Sequence, residues 1–148
     1  MAYQTIIESV KNYICQCPYL SESANININY LADEPYSFSI EESPKEDVNI
    51  EKTYLDGQIE KEFRFVLSCR FAYNDNSERN LENSRFLDEF QEWIEDNNIA
   101  GILPELRDGL NSVSLFVTKP GYLSEVSGSS EKAKYQIQIK LIYEKEKK

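Results

Sequence analysis

The stretch from Ile59 to Tyr73 constrains this chain more than any other. Ile59, Lys61, Phe63, Phe65, Leu67, Cys69, Phe71 and Tyr73 occupy the odd positions, with Glu60, Glu62, Arg64, Ser68 and Arg70 between them. Successive side chains of a strand point to opposite faces. This period of two therefore predicts a long strand with one face in a core and the other facing water or a partner. A strand buried on one side only belongs in an antiparallel sheet.

The same period recurs along the chain. Ile26, Ile28 and Tyr30 alternate with asparagines, and Tyr36, Phe38 and Ile40 alternate with small or acidic residues. Pro35 separates these two runs, and Ser43-Pro44 closes the second. Val48, Ile50, Lys52 and Tyr54 carry the period on to Asp56-Gly57, a turn signal that predicts a hairpin between residues 46–55 and 59–73. Beyond Pro104 and Gly109, Val113, Leu115 and Val117 start another strand, which Pro120-Gly121 bends. Ser127 to Ser130 reads as a flexible tip, and the last strand, Lys134 to Tyr143, alternates Tyr135, Ile137, Ile139 and Leu141 with Gln136, Gln138 and Lys140.

Two segments carry helical spacing instead. Between Tyr3 and Cys15, the residues Ile6, Ile7, Val10, Tyr13 and Ile14 recur at intervals of three and four, and Pro18 ends the run. From about Leu81 to Asn97, the residues Phe86, Leu87, Phe90, Trp93 and Ile94 form a second stripe, with Asn98 and Gly101 as C-terminal caps. Glu95 and Asp96 oppose the helix dipole there, so packing must hold this helix. The expected fold is α+β: a mostly antiparallel sheet with two amphipathic helices packed on the face that carries the aromatic strand residues. Residues 1–148 read as one domain ending in a frayed tail at 144–148.

Composition limits compartment and chemistry. Hydrophobic residues make up 41% and aromatic ones 12%, enough to bury a core. No apolar run approaches the ~20 residues a bilayer-crossing helix needs. Gln4, Glu8, Lys11 and Asn12 break up the opening segment, so no signal peptide is expected. Three cysteines (Cys15, Cys17 and Cys69) suit a reducing cytoplasm better than a disulfide scaffold. The net charge of -10, from 26 acidic and 16 basic residues, disfavours a sequence-specific nucleic-acid binder.

The chain has no histidine, which removes the commonest general base and metal ligand. Cys15-x-Cys17 lacks the spacing of a redox or zinc pair, and all three cysteines read as small hydrophobes. Five glycines form no phosphate-binding loop. Glu41-Glu42 and the run Asp75-Asn76-Ser77-Glu78 lack calcium-loop spacing. Asp88, Glu92 and Glu95 share a helix face, which solubility explains without acid–base chemistry. Trp93, beside Phe90 and Ile94, reads as core. The chain is therefore expected not to be an enzyme, and to use no cofactor, metal or small-molecule substrate. What stands out is contact surface. The second faces of two strands, with Arg64, Val66, Arg70 and Ala72 on one and Gln136, Gln138 and Ile142 on the other, solvate weakly, as a subunit contact or an added strand would require.

The segments come in a distinctive order: Cys-Pro-Tyr-Leu at 17–20, Asn-Tyr-Leu-Ala-Asp-Glu-Pro at 29–35, and Phe-Leu-Asp-Glu-Phe-Gln-Glu-Trp-Ile-Glu at 86–95. Gly-Ile-Leu-Pro follows at 101–104, then Gly-Tyr-Leu at 121–123, and Ala-Lys-Tyr-Gln-Ile-Gln-Ile-Lys-Leu-Ile-Tyr at 133–143. This order resembles a family of small minor capsid or tail-completion proteins from phages and prophages of Gram-positive bacteria, over nearly the whole chain. The resemblance implies a virion assembly protein of the tail-terminator or head-tail joining type, with no catalytic residues. Such proteins form a homo-oligomeric ring, often hexameric, that meets tail-tube and head-completion proteins. The ring would be assembled in the host cytoplasm and carried in the virion, and a carboxylate-rich lumen would repel passing DNA. Two regions are the expected contacts: the turn holding Tyr54, Asp56 and Gly57, and the 121–134 hairpin with Gly121, Tyr122 and Leu123. The alternative is a monomeric acidic binding or regulatory module that mimics the charge of DNA.

Overall fold

A computed structural model describes residues 4–20, 25–43, 52–53, 59–74, 77–128 and 131–146. The helical stripe near the N-terminus becomes α1, Ile6–Ile14. Thr5 caps it by accepting a hydrogen bond from the Glu8 backbone N–H at 3.2 Å, while its own hydroxyl donates to the Glu8 carboxylate. Thr5 is thus an N-cap whose side chain and that of Glu8 bind each other across the first turn. Cys15 caps the helix three residues before Pro18, which has no N–H to bond the Ile14 carbonyl. Ile7, Val10, Tyr13 and Ile14 are buried.

Six strands follow: β1 (Asn25–Ile28), β2 (Ser37–Glu42), β3 (Lys52–Thr53), β4 (Ile59–Ala72), β5 (Leu110–Val126) and β6 (Lys132–Lys145). The long α2, Ser77–Ala100, lies between β4 and β5. The sheet order is β1-β2-β4-β6-β5, with β3 also on β4. Every pairing is antiparallel except β1 with β2, which is parallel. The hairpin expected around Asp56-Gly57 is present as the pairs Lys52↔Glu60 and Thr53↔Ile59. Its turn, with Tyr54, Asp56 and Gly57, lies outside the described residues, as do Val48 and Ile50. Glu144 and Lys145 pair with both β4 and β5, so these two residues belong to the sheet and not to a frayed tail.

The alternation read from the sequence becomes burial. Phe65, Leu67, Cys69 and Phe71 of β4 are buried beside Tyr135, Ile137, Ile139 and Leu141 of β6. Burying one such aliphatic or aromatic side chain stabilises the fold by about 1.5–3 kcal/mol. Both helices cover this face. Phe86 of α2 packs against Phe38 of β2 and Phe71 of β4, with ring centroids 5.7 and 5.5 Å away. Trp93 meets Tyr13 of α1 at 5.1 Å. The architecture is therefore α+β in two layers, helices on one face of a mostly antiparallel sheet.

The end of α2 shows why it extends past Ile94, the last residue of its apolar stripe. Gly101 has φ +75, the left-handed conformation glycine adopts without a Cβ penalty. The Gly101 N–H donates to the Asn98 carbonyl, and the Ile102 N–H to the Asn97 carbonyl at 2.8 Å, closing a Schellman motif. Asn98 acts further off than a cap. Its side-chain oxygen accepts from the buried Leu115 N–H at 2.9 Å and ties α2 to β5.

Candidate functional site

With both helices on one side, the opposite face of the sheet has no second layer among the described residues. Its centre is largely uncharged. Ser68 of β4 stands opposite Gln136 of β6, and Val66 opposite Gln138. Ser39 of β2 stands opposite Ser68 on the other side. The polar groups satisfy one another in a ladder. Gln136 Nε2 donates to Ser68 Oγ at 3.2 Å, the Tyr122 hydroxyl donates to Gln136 Oε1 at 3.1 Å, and Gln138 Nε2 donates back to the Tyr122 oxygen at 3.3 Å. Such a ladder holds several side chains in one arrangement before any partner arrives, so little rotamer freedom is left to lose on binding.

Charge surrounds this strip. Lys140 Nζ contacts Glu62 at 3.2 Å and lies 5.2 Å from the Phe116 ring, while Lys132 pairs with Asp33 at 3.1 Å. A surface with a neutral, aromatic-containing centre and a charged margin has the anatomy of a protein contact.

The outer strand β5 is long, but it is not a template for strand addition. Four register shifts along β5–β6, at Ser112/Ser114, Val117/Lys119, Lys119/Tyr122 and Leu123/Glu125, each insert one residue on β5. Pro120, which lacks an N–H, falls among them, as it must on an outer strand. Bulges and proline are the devices by which edge strands avoid pairing with other sheets. The sheet's open face, and not this edge, is the surface left for contact.

The three predicted contact residues on β5 are adjacent in sequence yet do different things. Gly121 lies under α2, where an added Cβ would come within 2.7 Å of Leu87 Cβ. It is a packing position. Tyr122 points to the open face, where it joins the ladder and lies under Lys119 at 4.6 Å. Leu123 is exposed at the rim of a hollow of about 350 Å³ bounded by Tyr73, Ser84, Leu87 and Tyr135. The strand runs through Pro120-Gly121 and turns only after Val126, where the Ser127 N–H donates to the Lys132 carbonyl at 2.9 Å.

A second hollow, of about 250 Å³, is lined by Tyr19, Tyr36, Phe38, Phe71, Glu82 and Phe86. Tyr36 has φ +64, rare for a bulky residue, and its N–H donates to the Arg70 carbonyl at 2.6 Å. This bond sets the turn into β2. Tyr36 then leans edge-on to Phe71 at 6.1 Å, which extends the aromatic core to the surface.

The cysteines differ in accessibility. Cys15 is exposed, whereas Cys17 and Cys69 are buried. Burial pushes the Cys17 thiol up from its ordinary value and the Cys69 thiol far higher, which keeps both protonated. Among the described residues no three His, Cys, Asp or Glu side chains converge as metal ligands. No described helix is long and apolar enough to cross a membrane. Asp88, Glu92 and Glu95 are exposed on α2, and Asp88 also lines the hollow beside Leu123 and Tyr135. Comparison with protein-family models and with curated proteins finds no match.

The neutral strip was legible in Ser68, Gln136 and Gln138, because even positions of two adjacent strands share a face. The part played by Tyr122 was not. It depends on bulges that change which side β5 residues point to.

Proposed function

We propose that this chain is a virion assembly protein of a phage or prophage, of the tail-terminator or head-tail joining type, and acts by forming a homo-oligomeric ring. The observation that carries the reading is the open sheet face. It has a pre-ordered, uncharged centre and no covering layer among the described residues, although the charge of -10 leaves ample residues with which to solvate it. The sequence resemblance to phage minor capsid and tail-completion proteins supports the same reading. In such a protein, function resides in repeated burial of complementary surfaces and not in bond-making chemistry. The ring would offer one rim to tail-tube subunits and the other to a head-completion protein.

Sedimentation velocity at tens of micromolar tests this, with negative-stain imaging of any assembled fraction. A discrete oligomer seen as closed rings is the expected result. A strict monomer that competes with DNA for a host enzyme would overturn it in favour of the acidic, DNA-mimicking module.

A further inference from the structure

Two adjacent cations on the open sheet face have no ion-pair partner among the described residues. Arg70 of β4 and Lys134 of β6 are direct cross-strand neighbours, so like charges stand side by side on one face. That arrangement opposes sheet formation. The nearby cations are neutralised, Lys132 by Asp33 and Lys140 by Glu62. Arg70 and Lys134 have no such partner among the described residues. No ion pair joins Lys134 to Glu125, its register partner on β5, among the described residues. The Arg70 Nε is buried without a hydrogen-bond partner. Two adjacent cations with no ion-pair partner among the described residues are a place where a carboxylate of a second copy can relieve the like-charge repulsion.

The chain itself carries a matching anion. Asp88, Glu92 and Glu95 lie at i, i+4 and i+7 on α2 and all are exposed, Asp88 at the margin of the hollow beside β5. At a rise of about 1.5 Å per residue they span roughly 10 Å, the reach of two or three neighbouring strands about 4.8 Å apart. Cation pair and acidic stripe lie on opposite faces of the two-layer fold, so neither reaches the other within one copy. Two copies meet only head to tail, with the sheet face of one against α2 of the next. A contact of that kind is heterologous, and when its rotation closes it makes a ring and not a two-fold dimer.

We infer that the open sheet face of one copy docks α2 of the next, with Arg70 and Lys134 receiving the carboxylates of Asp88, Glu92 and Glu95. This rests on the ring reading and specifies which surfaces form it. The uncharged Ser68–Gln136–Tyr122–Gln138 ladder lies beside the ion pairs and supplies a neutral centre to the contact. Arg70 meets one carboxylate through its two terminal guanidinium nitrogens, since its Nε is buried, and Lys134 acts as a point charge.

Charge reversal tests the contact. Lys134→Glu leaves both faces acidic, and Glu92→Lys with Glu95→Lys leaves both basic. Each change is at the surface, and circular dichroism melts confirm that each protein folds. At low ionic strength each variant alone should self-associate roughly tenfold or more weakly than wild type. An equimolar mixture should regain the wild-type oligomer, because each variant then offers the other a complementary face. If both variants assemble as wild type does, the contact lies elsewhere and the inference fails while the ring reading stands. If the variants fail alone and their mixture also fails, the pairing is wrong. Wild-type protein that stays monomeric at every salt and concentration defeats both. Binding of duplex DNA to a monomeric wild type, abolished by Lys134→Glu, would assign the cation pair to nucleic acid and overturn the second copy as occupant.

Discussion

Replacing Gly121 with alanine isolates the contact that sets α2 against β5. The added Cβ would come within 2.7 Å of Leu87 Cβ, 2.8 Å of its Cδ1 and 3.0 Å of its Cγ. Carbon atoms pack at about 3.5–4.0 Å, so helix and strand must separate by nearly 1 Å. Overpacking of this kind destabilises by about 1–3 kcal/mol. In open space the same change would stabilise by about 0.4–1 kcal/mol, because alanine restricts the unfolded chain, so the sign of the effect is diagnostic. Gly128, where an added Cβ would meet nothing within 4 Å, is the matched control. With roughly 2.1 cal/mol/K of unfolding entropy per residue, a chain of 148 residues shifts its midpoint by about 3 °C per kcal/mol. Gly121→Ala should therefore lower Tm by about 3–10 °C, while Gly128→Ala leaves it unchanged or slightly raised. Thermal melts followed by circular dichroism, with Trp93 fluorescence in urea, measure both. Leu87→Ala gives a second reading: it removes Cγ and Cδ1 but keeps the Cβ, so the double variant should stay below Leu87→Ala alone. A Gly121→Ala protein as stable as wild type, or indistinguishable from Gly128→Ala, would refute the close approach.

Three further outcomes follow from named contacts. Asn98→Ala strands the buried Leu115 N–H and should cost about 1–3 kcal/mol in urea unfolding, whereas Asn98→Asp keeps the acceptor and most of the stability; equal midpoints for both variants and wild type would dismiss the tie. Of the three thiols, Cys15 should react with a disulfide reagent in the folded protein, with Cys17 and Cys69 following only in denaturant; three fast thiols would contradict the burial. Burial raises the Tyr13 hydroxyl as well as the Cys17 and Cys69 thiols, so all three are protonated in both states at neutral pH and add no pH dependence there. Above about pH 9 the unfolded chain loses these protons first, so stability should fall as pH rises towards 11, and Tyr13→Phe with Cys69→Ala should flatten the fall. A urea midpoint level across that range would count against it.

The strands and helices were legible because burial in this chain follows two simple periods. Phe65, Leu67, Cys69 and Phe71 alternate without a break, as do Tyr135, Ile137, Ile139 and Leu141, and both sets are buried. The stripe Phe86, Leu87, Phe90 and Ile94 likewise faces the sheet, with Phe86 half-buried against it. The parallel pairing of β1 with β2 was not legible, since periodicity carries no strand direction. Nor was the division of labour among Gly121, Tyr122 and Leu123, because the register shifts of β5 break the alternation that relates position to face.

Local chemistry by itself therefore determined which segments are strands or helices and which of their sides is apolar, since the geometry of each element repeats every 2 or about 3.6 residues. It also placed weakly solvating side chains on the second faces of β4 and β6. Both helices lie on the aromatic face, as the pattern led one to expect, but only tertiary structure decided that the other face has no covering layer among the described residues. It alone set Arg70 beside Lys134, and it alone put Gly121 under Leu87. These relations join residues far apart in the chain, and their positions depend on strand order and bulges that no local pattern encodes.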